Sequence, residues 1–198
     1  MNPVDAVAKF HFNEGVSYSL QSETQASQLN FKNSIELASH AVREYELALQ
    51  IDPLHLVILQ TKGVALRQQG QFLEAAEIFE RLIESTRDQP ENYYQLSLCF
   101  FEHNLYEPGL ETFKEALEIF NTPTWVTRLC SDLATIALKW VYFAHDCLNM
   151  GQTEAFEHIA KEVIAIVDIG LQFDPANTFF NQIQDQILTD IRHVKNAQ

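Results

Sequence analysis

Apolar residues recur along this chain at spacings of three and four, the period of one face of an α-helix. After Pro53 they fall at Leu56, Leu59, Gly63 and Leu66. Beyond a break at Gly70 they resume at Phe72, Ala75, Ala76, Phe79, Leu82 and Ile83. After Pro90 come Tyr93, Leu96 and Phe100, a turn near Asn104, then Leu110, Phe113, Ala116, Leu117 and Phe120. Upstream, a helix is expected from near Asn30, with Phe31, Ile35, Ala38, Val42, Tyr45 and Leu49 on one face. Between residues 21 and 28 the sequence QSETQASQ is polar and aperiodic, which predicts a loop or a solvated helix extension. No segment alternates with period two long enough to predict a strand, so the pattern predicts about nine helices joined by short turns.

The prolines punctuate this pattern. Proline suits the first position of a helix, where its missing N–H would be unpaired anyway. Asn2-Pro3, Asp52-Pro53, Gln89-Pro90, Thr122-Pro123 and Asp174-Pro175 each predict a helix start, and Pro108 after Glu107 predicts another. In four of the five pairs the residue before the proline is Asn, Asp or Thr, types that cap helix N-termini.

Residues 56–89 and 90–123 form two adjacent units of equal length in which large and small residues coincide. Leu59 aligns with Tyr93, Gly63 with Ser97, Leu66 with Phe100, Phe72 with Tyr106, Ala75 with Gly109, Phe79 with Phe113, and Leu82 with Ala116. Small residues in mid-helix let two helices approach closely, and the aromatics at Phe79 and Phe113 fill the space beside them. A bulky residue at Gly63 would overpack that contact.

This pattern resembles the tetratricopeptide repeat, in which W-x2-L-G-x2-Y is followed by A-x3-F and then Pro. Two flanking stretches look like divergent copies. Gly15, Tyr18, Ala41, Tyr45, Ala48 and Pro53 match in residues 3–53, with the polar segment 21–30 as an insertion. Trp140-x2-Phe143-Ala144-x2-Cys147, a turn at Gly151 and Gln152, then Ala155, Ile159 and Pro175 match in residues 124–175. The resemblance implies an all-α fold, an α-solenoid of about four helix–turn–helix units. They would occupy one domain over residues 1–198, with residues 176–195 as a capping helix. That last helix carries Phe180, Ile183, Ile187, Ile191 and Val194 on one stripe and polar residues opposite, as a terminal cap requires.

In this family the first helix of each pair lines a concave groove that holds a peptide or helix of a partner. The resemblance therefore places Phe12, Val16, Val57, Gln60, Val64, Arg67, Glu91, Tyr94, Leu98 and Phe101 on that face. Tyr94, Leu98 and Phe101 also form a second apolar stripe beside Tyr93, Leu96 and Phe100, and a surface helix needs only one. Internal packing, a partner segment in the groove or a homodimer seam would each cover it. Chaperone-binding members grip a C-terminal carboxylate with Lys, Arg and Asn. The corresponding positions here read Phe12, Val16, Thr61, Glu91 and Gln95, so an acidic tail is not the expected ligand.

Charge narrows the partners. The formal net charge is −14, which opposes nucleic acid and anionic membranes and fits a protein partner. Cys99, Cys130 and Cys147 are odd in number and form no CxxC, so buried thiols and a cytoplasmic location are expected rather than disulfides. The first residues show neither a basic nor an apolar leader region, so no signal peptide is expected, and no apolar run is long enough to span a bilayer. No catalytic motif is present. His145, Cys147 and His158 invite a metal reading, but residues two apart do not share a helix face, and no metal or other cofactor is expected. The functional expectation is a non-enzymatic scaffold or adaptor. The alternatives are a small acidic chaperone for an exported or assembling client and a structural homo-oligomer.

Overall fold

The computed structural model describes residues 3–197. These residues form nine α-helices and no strand: α1 (Pro3–Ser27), α2 (Phe31–Ile51), α3 (Leu56–Gln68), α4 (Phe72–Ser85), α5 (Pro90–Glu102), α6 (Tyr106–Ile119), α7 (Pro123–Asn149), α8 (Thr153–Phe173) and α9 (Thr178–Ala197). Among the described residues, no helix is long and apolar enough to cross a membrane. The chain divides into two compact units, Met1–Phe113 and Lys114–Gln198.

Four of the links share one backbone geometry. Residues 28–30, 69–71, 103–105 and 150–152 each join two helices through a middle residue with positive φ. Those residues are Leu29 (60°), Gly70 (86°), Asn104 (62°) and Gly151 (72°). At each turn two N–H groups return to orphan carbonyls of the helix just ended: Gly70 to Arg67 and Gln71 to Leu66 at the second, Gly151 to Leu148 and Gln152 to Cys147 at the fourth. This paired closure is the Schellman motif. Glycine and asparagine adopt the left-handed conformation at low cost, which is why Gly70, Asn104 and Gly151 mark turns in the sequence. Leu29 carries no such mark.

In the first unit the helices pack in chain order, α1 on α2, α2 on α3, α3 on α4 and α4 on α5, while α1 touches α3 and α3 touches α5. The odd-numbered helices therefore share one layer. Gly15 and Gly63 sit where rings from the second helix of their own pair press against the backbone. A Cβ at Gly15 would come 2.5 Å from the Tyr45 ring, and one at Gly63 2.8 Å from Phe79. The Tyr45 hydroxyl continues past the glycine to bond Ser19 Oγ at 3.0 Å, and burial pushes its phenol pKa up. The third pair reverses the arrangement, with Gly109 of α6 receiving the Phe101 ring of α5.

The second unit is a long hairpin, α7 with α8, with α9 packed on both. Its core joins Leu133, Ala137 and Ala144 of α7 to Phe156, Val163 and Val167 of α8 and Phe180 and Ile187 of α9. Phe180 lies against Gly170. His145 Nε2 meets Asp190 Oδ2 at 2.8 Å, tying α7 to α9. His158 pairs with Glu162 one turn on, and Cys147 is buried. Phe143, matched to a core position of the repeat, is exposed instead. The stripe on α9 holds for Phe180, Ile183 and Ile187, while Ile191 and Val194 are half-buried.

Several sequence expectations change. Asp52 and Asp174 do not cap the helices after them. Each ends the helix before it, its N–H bonded to the carbonyl of Ala48 or Gly170. The caps lie three residues later, where His55 Nδ1 accepts from the Ile58 N–H and Asn177 Oδ1 from the N–H groups of Phe179 and Phe180. Pro53 and Pro175 thus occupy links, whereas Pro90 and Pro123 do begin helices. The cap expected at Asn2 lies outside the described residues. On α3, Ile58 is buried in place of Leu56, which is exposed. The polar segment after residue 20 is helical to Ser27, and Ser22 within it is fully buried, its hydroxyl donating to the Ser34 carbonyl at 2.8 Å.

Two outcomes follow from this packing. Gly170→Ala should lose about 1–3 kcal/mol of unfolding free energy in urea, because the added methyl meets the buried Phe180 ring. Pairing it with Phe180→Leu should recover part of that loss. Burial pushes the Cys99 thiol up to about 12 and the Cys130 thiol, helped by Asp174, to about 11. Both thiols should resist alkylation at neutral pH until the chain unfolds. Because their folded pKa values lie above the ordinary value of 9.0, the unfolded chain ionises first. Their contribution to stability is complete below pH 9.0 and is lost as pH rises to about 12. A urea series across that window, with Cys99→Ala showing a shallower fall, checks it.

Candidate functional site

The layer formed by α1, α3 and α5 carries the residues the sequence pointed to. Along the α3–α5 contact, from the first turn of α5 to its end, it is polar and internally bonded. Gln60 Nε2 donates to Asn92 Oδ1 at 3.0 Å. Arg67 Nε donates to Gln95 Oε1 at 3.2 Å, and its Nη1 meets Glu102 Oε1 at 2.8 Å. Gln95 Nε2 in turn donates to Glu91 Oε1 at 2.9 Å. Asn92 and Gln95 are buried, so their amide groups must be paired to be tolerated. Gln60 and Arg67 supply that pairing across the α3–α5 contact.

Toward the N-terminal end of α3 the layer is hollowed on both sides. One hollow of about 480 Å³ has an apolar wall of Val4, Ala8 and Phe12 of α1 with Ile51 and Ile58, and Asp5, Lys9, Asp52 and His55 line it too. Another of about 210 Å³ is lined by Leu56, Val57 and Gln60 of α3 with Leu82, Thr86 and Asn92. Val57 lines the second and is 51% exposed, and Leu54 and Leu56 beside it are exposed as well.

The ten expected face residues separate accordingly. Val57 is open. Phe12, Val16 and Val64 are half-buried, pack on the core of the first unit and keep an edge free. Gln60, Arg67 and Glu91 belong to the polar network. Leu98 is half-buried. The second apolar stripe is largely covered from within. Phe101 is 5% exposed, packed edge-on to Tyr106 and over Gly109, so it offers nothing to a partner. Tyr94 is half-buried, with its ring edge-on to Phe113 at 6.5 Å. The physical reason is the reversed third pair, whose glycine lies on α6 and draws the α5 aromatics toward it.

Sequence reasoning missed Asn92 and Gln95, the buried half of the network, and the exposed pair Leu54 and Leu56. The available signal was an excess of apolar residues over residues 54–59 beyond what one helical stripe can bury.

Arg67 and Glu102 should behave differently when removed. Arg67→Ala leaves the buried Gln95 oxygen without its donor and should cost about 1–3 kcal/mol. Glu102→Ala removes only a half-exposed ion pair and should cost under about 1 kcal/mol. Urea denaturation of the two variants checks the order.

Residues 57–89, the span of α3, α4 and the link to α5, match the family model described as tetratricopeptide repeat. No curated protein matches the chain. Among solved structures it is similar to the N-terminal domain of stress-induced protein-1 (STI-1) from C. elegans, at 17% identity, 65% coverage of this chain, 96% of that chain and a TM-score of 0.45. It is also similar to the MamA protein, at 13% identity, 90% and 88% coverage and a TM-score of 0.46. A putative kinesin light chain from Podosopora anserina with nearly identical TPR-like repeats gives 11% identity, 96% coverage of each chain and a TM-score of 0.46. Likenesses this distant carry no functional argument. The helices, their shared turn geometry and the matched segment together make the chain an all-helical repeat protein with a tetratricopeptide repeat at residues 57–89.

Proposed function

We propose that the chain is a non-catalytic protein-interaction module whose first unit binds an apolar segment of a partner protein on the α1–α3–α5 layer. The observation that carries this reading is the exposed apolar end of α3, where Leu54, Leu56 and Val57 stand beside two hollows lined by α1, α3 and α5. Repeats of this kind present such layers as extended binding surfaces. An apolar side chain in each hollow, with Val57 against the segment, would bury area now in water. The bonded polar network that runs from Gln60 and Asn92 to Glu102 would orient the segment beside the apolar contact.

The test compares capture of partners from a native lysate by the wild-type chain, by Val57→Asp and by Leu73→Asp. Leu73 is exposed on α4, outside the layer. Val57→Asp should lose at least tenfold of a partner's recovery with its helicity intact, and Leu73→Asp should retain it. Equal recovery by all three, or equal loss in both variants, would refute the assignment of the layer.

A further inference from the structure

Two hairpins outgrow the α3–α4 pair. Measured from the glycines that receive the rings, α1 continues twelve residues past Gly15, whereas α3 stops five past Gly63, so the first hairpin projects about two turns further. Part of that surplus bonds inward, through Ser22 to Ser34. In the second unit α7 runs for 27 residues, and its later turns expose apolar surface. Leu133, Ala137, Val141 and Ala144 already fill its core stripe, and a surface helix needs only one. Yet on the opposite face Tyr142 is 63% exposed, Phe143 52% and Met150, the C-cap, 71%. Trp140 stands edge-on to Phe143, with the ring centroids 5.8 Å apart. Exposed apolar patches rimmed by polar groups mark interaction sites.

The order of residues along this face has two-fold symmetry. Of the exposed positions from Thr135 to Met150, six fall into three pairs about a point between residues 142 and 143. Tyr142 is matched with Phe143, Lys139 with Asp146, and Thr135 with Met150. Asn149 is exposed without an exposed counterpart, because Ile136 is buried. Lys139 and Asp146 carry opposite charges but lie seven residues apart, about 10 Å along one helix, too far to pair with each other. If a second α7 is laid antiparallel on the first, about an axis through that point, each lysine comes level with the other copy's aspartate. The aromatics then meet across the axis. A two-fold interface requires a patch that is complementary to itself in this way. The stretch is also neutral, with one lysine and one aspartate in residues 135–150, whereas the whole chain carries −14. Two copies can therefore approach here without the repulsion that their acidic surfaces exert elsewhere.

We propose that this face of α7 is a seam between two copies of the chain, packed antiparallel about a two-fold axis at Tyr142 and Phe143. About four turns of each helix take part. A contact of that extent falls at the low end of interface sizes, so the dimer forms at micromolar concentrations and dissociates below them. The seam lies on the second unit and does not rest on the α1–α3–α5 reading, which concerns a different protein bound to the first.

Sedimentation velocity of the full chain from about 1 to 500 μM tests this, a range that spans weak self-association. The wild type should pass from monomer to dimer within it. Lys139→Asp and Asp146→Lys each set like charges level at both ends of the seam, and each should weaken the dimer roughly tenfold or more. They move the net charge in opposite directions, so a general effect of charge would weaken one and strengthen the other. Mixed in equal amounts, the two variants should form a heterodimer, because opposite charges then meet again. Phe143→Ser should stay monomeric, and Val57→Asp should dimerise as the wild type does. Circular dichroism checks that every variant keeps its helicity, as substitutions at exposed positions should. A wild type that is monomeric throughout overturns the proposal and leaves the face to a foreign partner. A charge variant that dimerises like the wild type, a mixture that stays monomeric, or a dimer that survives Phe143→Ser overturns it too. Loss of the dimer in Val57→Asp would move the seam to the first unit.

Discussion

An aromatic ring pressed against bare helix backbone sets the packing within each unit of this protein. Gly15 with Tyr45, Gly63 with Phe79 and Gly109 with Phe101 bring helices of the first unit together, and Gly170 with Phe180 does so in the second. Glycine in mid-helix costs roughly 1 kcal/mol of propensity relative to alanine. The buried ring outweighs that cost, because fully burying such a side chain is worth about 1.5–3 kcal/mol. Where the ring comes from decides what remains outside. In the first two pairs the second helix supplies it and leaves the outer edges of α1 and α3 free. In the third pair α5 supplies it, so α5 loses its aromatics to the interior.

That difference shapes the α1–α3–α5 layer. Its apolar end is open because α3 begins with more apolar residues than its packing absorbs. Along the α3–α5 contact it is closed because Asn92 and Gln95 are buried and must bond inward. A surface already held by side-chain bonds and core packing has little ordering left to lose when a ligand arrives, which favours binding by preorganisation.

Helix existence, the turns at Gly70, Asn104 and Gly151, and the close approach at Gly63 were legible because each depends on local chemistry: period, positive φ and side-chain size. The face of a given residue was harder. Phe101 fits a groove by spacing alone, and only the position of Gly109 on the opposite helix reveals that it is buried. Asp52 and Asp174 look like caps because a proline follows. Their true role depends on where the preceding helix ends, a tertiary matter. The segment after residue 20 reads as a loop or a solvated helix extension because its composition is polar, yet Ser22 is small enough to be buried between two helices and bonds its neighbour's backbone.

The lengthening of the first hairpin is commensurate with the helix itself. Ser22 lies seven residues beyond Gly15, close to two full turns, so it falls on nearly the same face. The stripe of small residues that permits close approach therefore continues into the projection without rotating. An insertion of five residues would have swung Ser22 out to solvent and parted the two helices. Hairpins of this architecture can thus grow only by near-integral numbers of turns, added to both helices at once, while the three-residue turn at the tip stays the same.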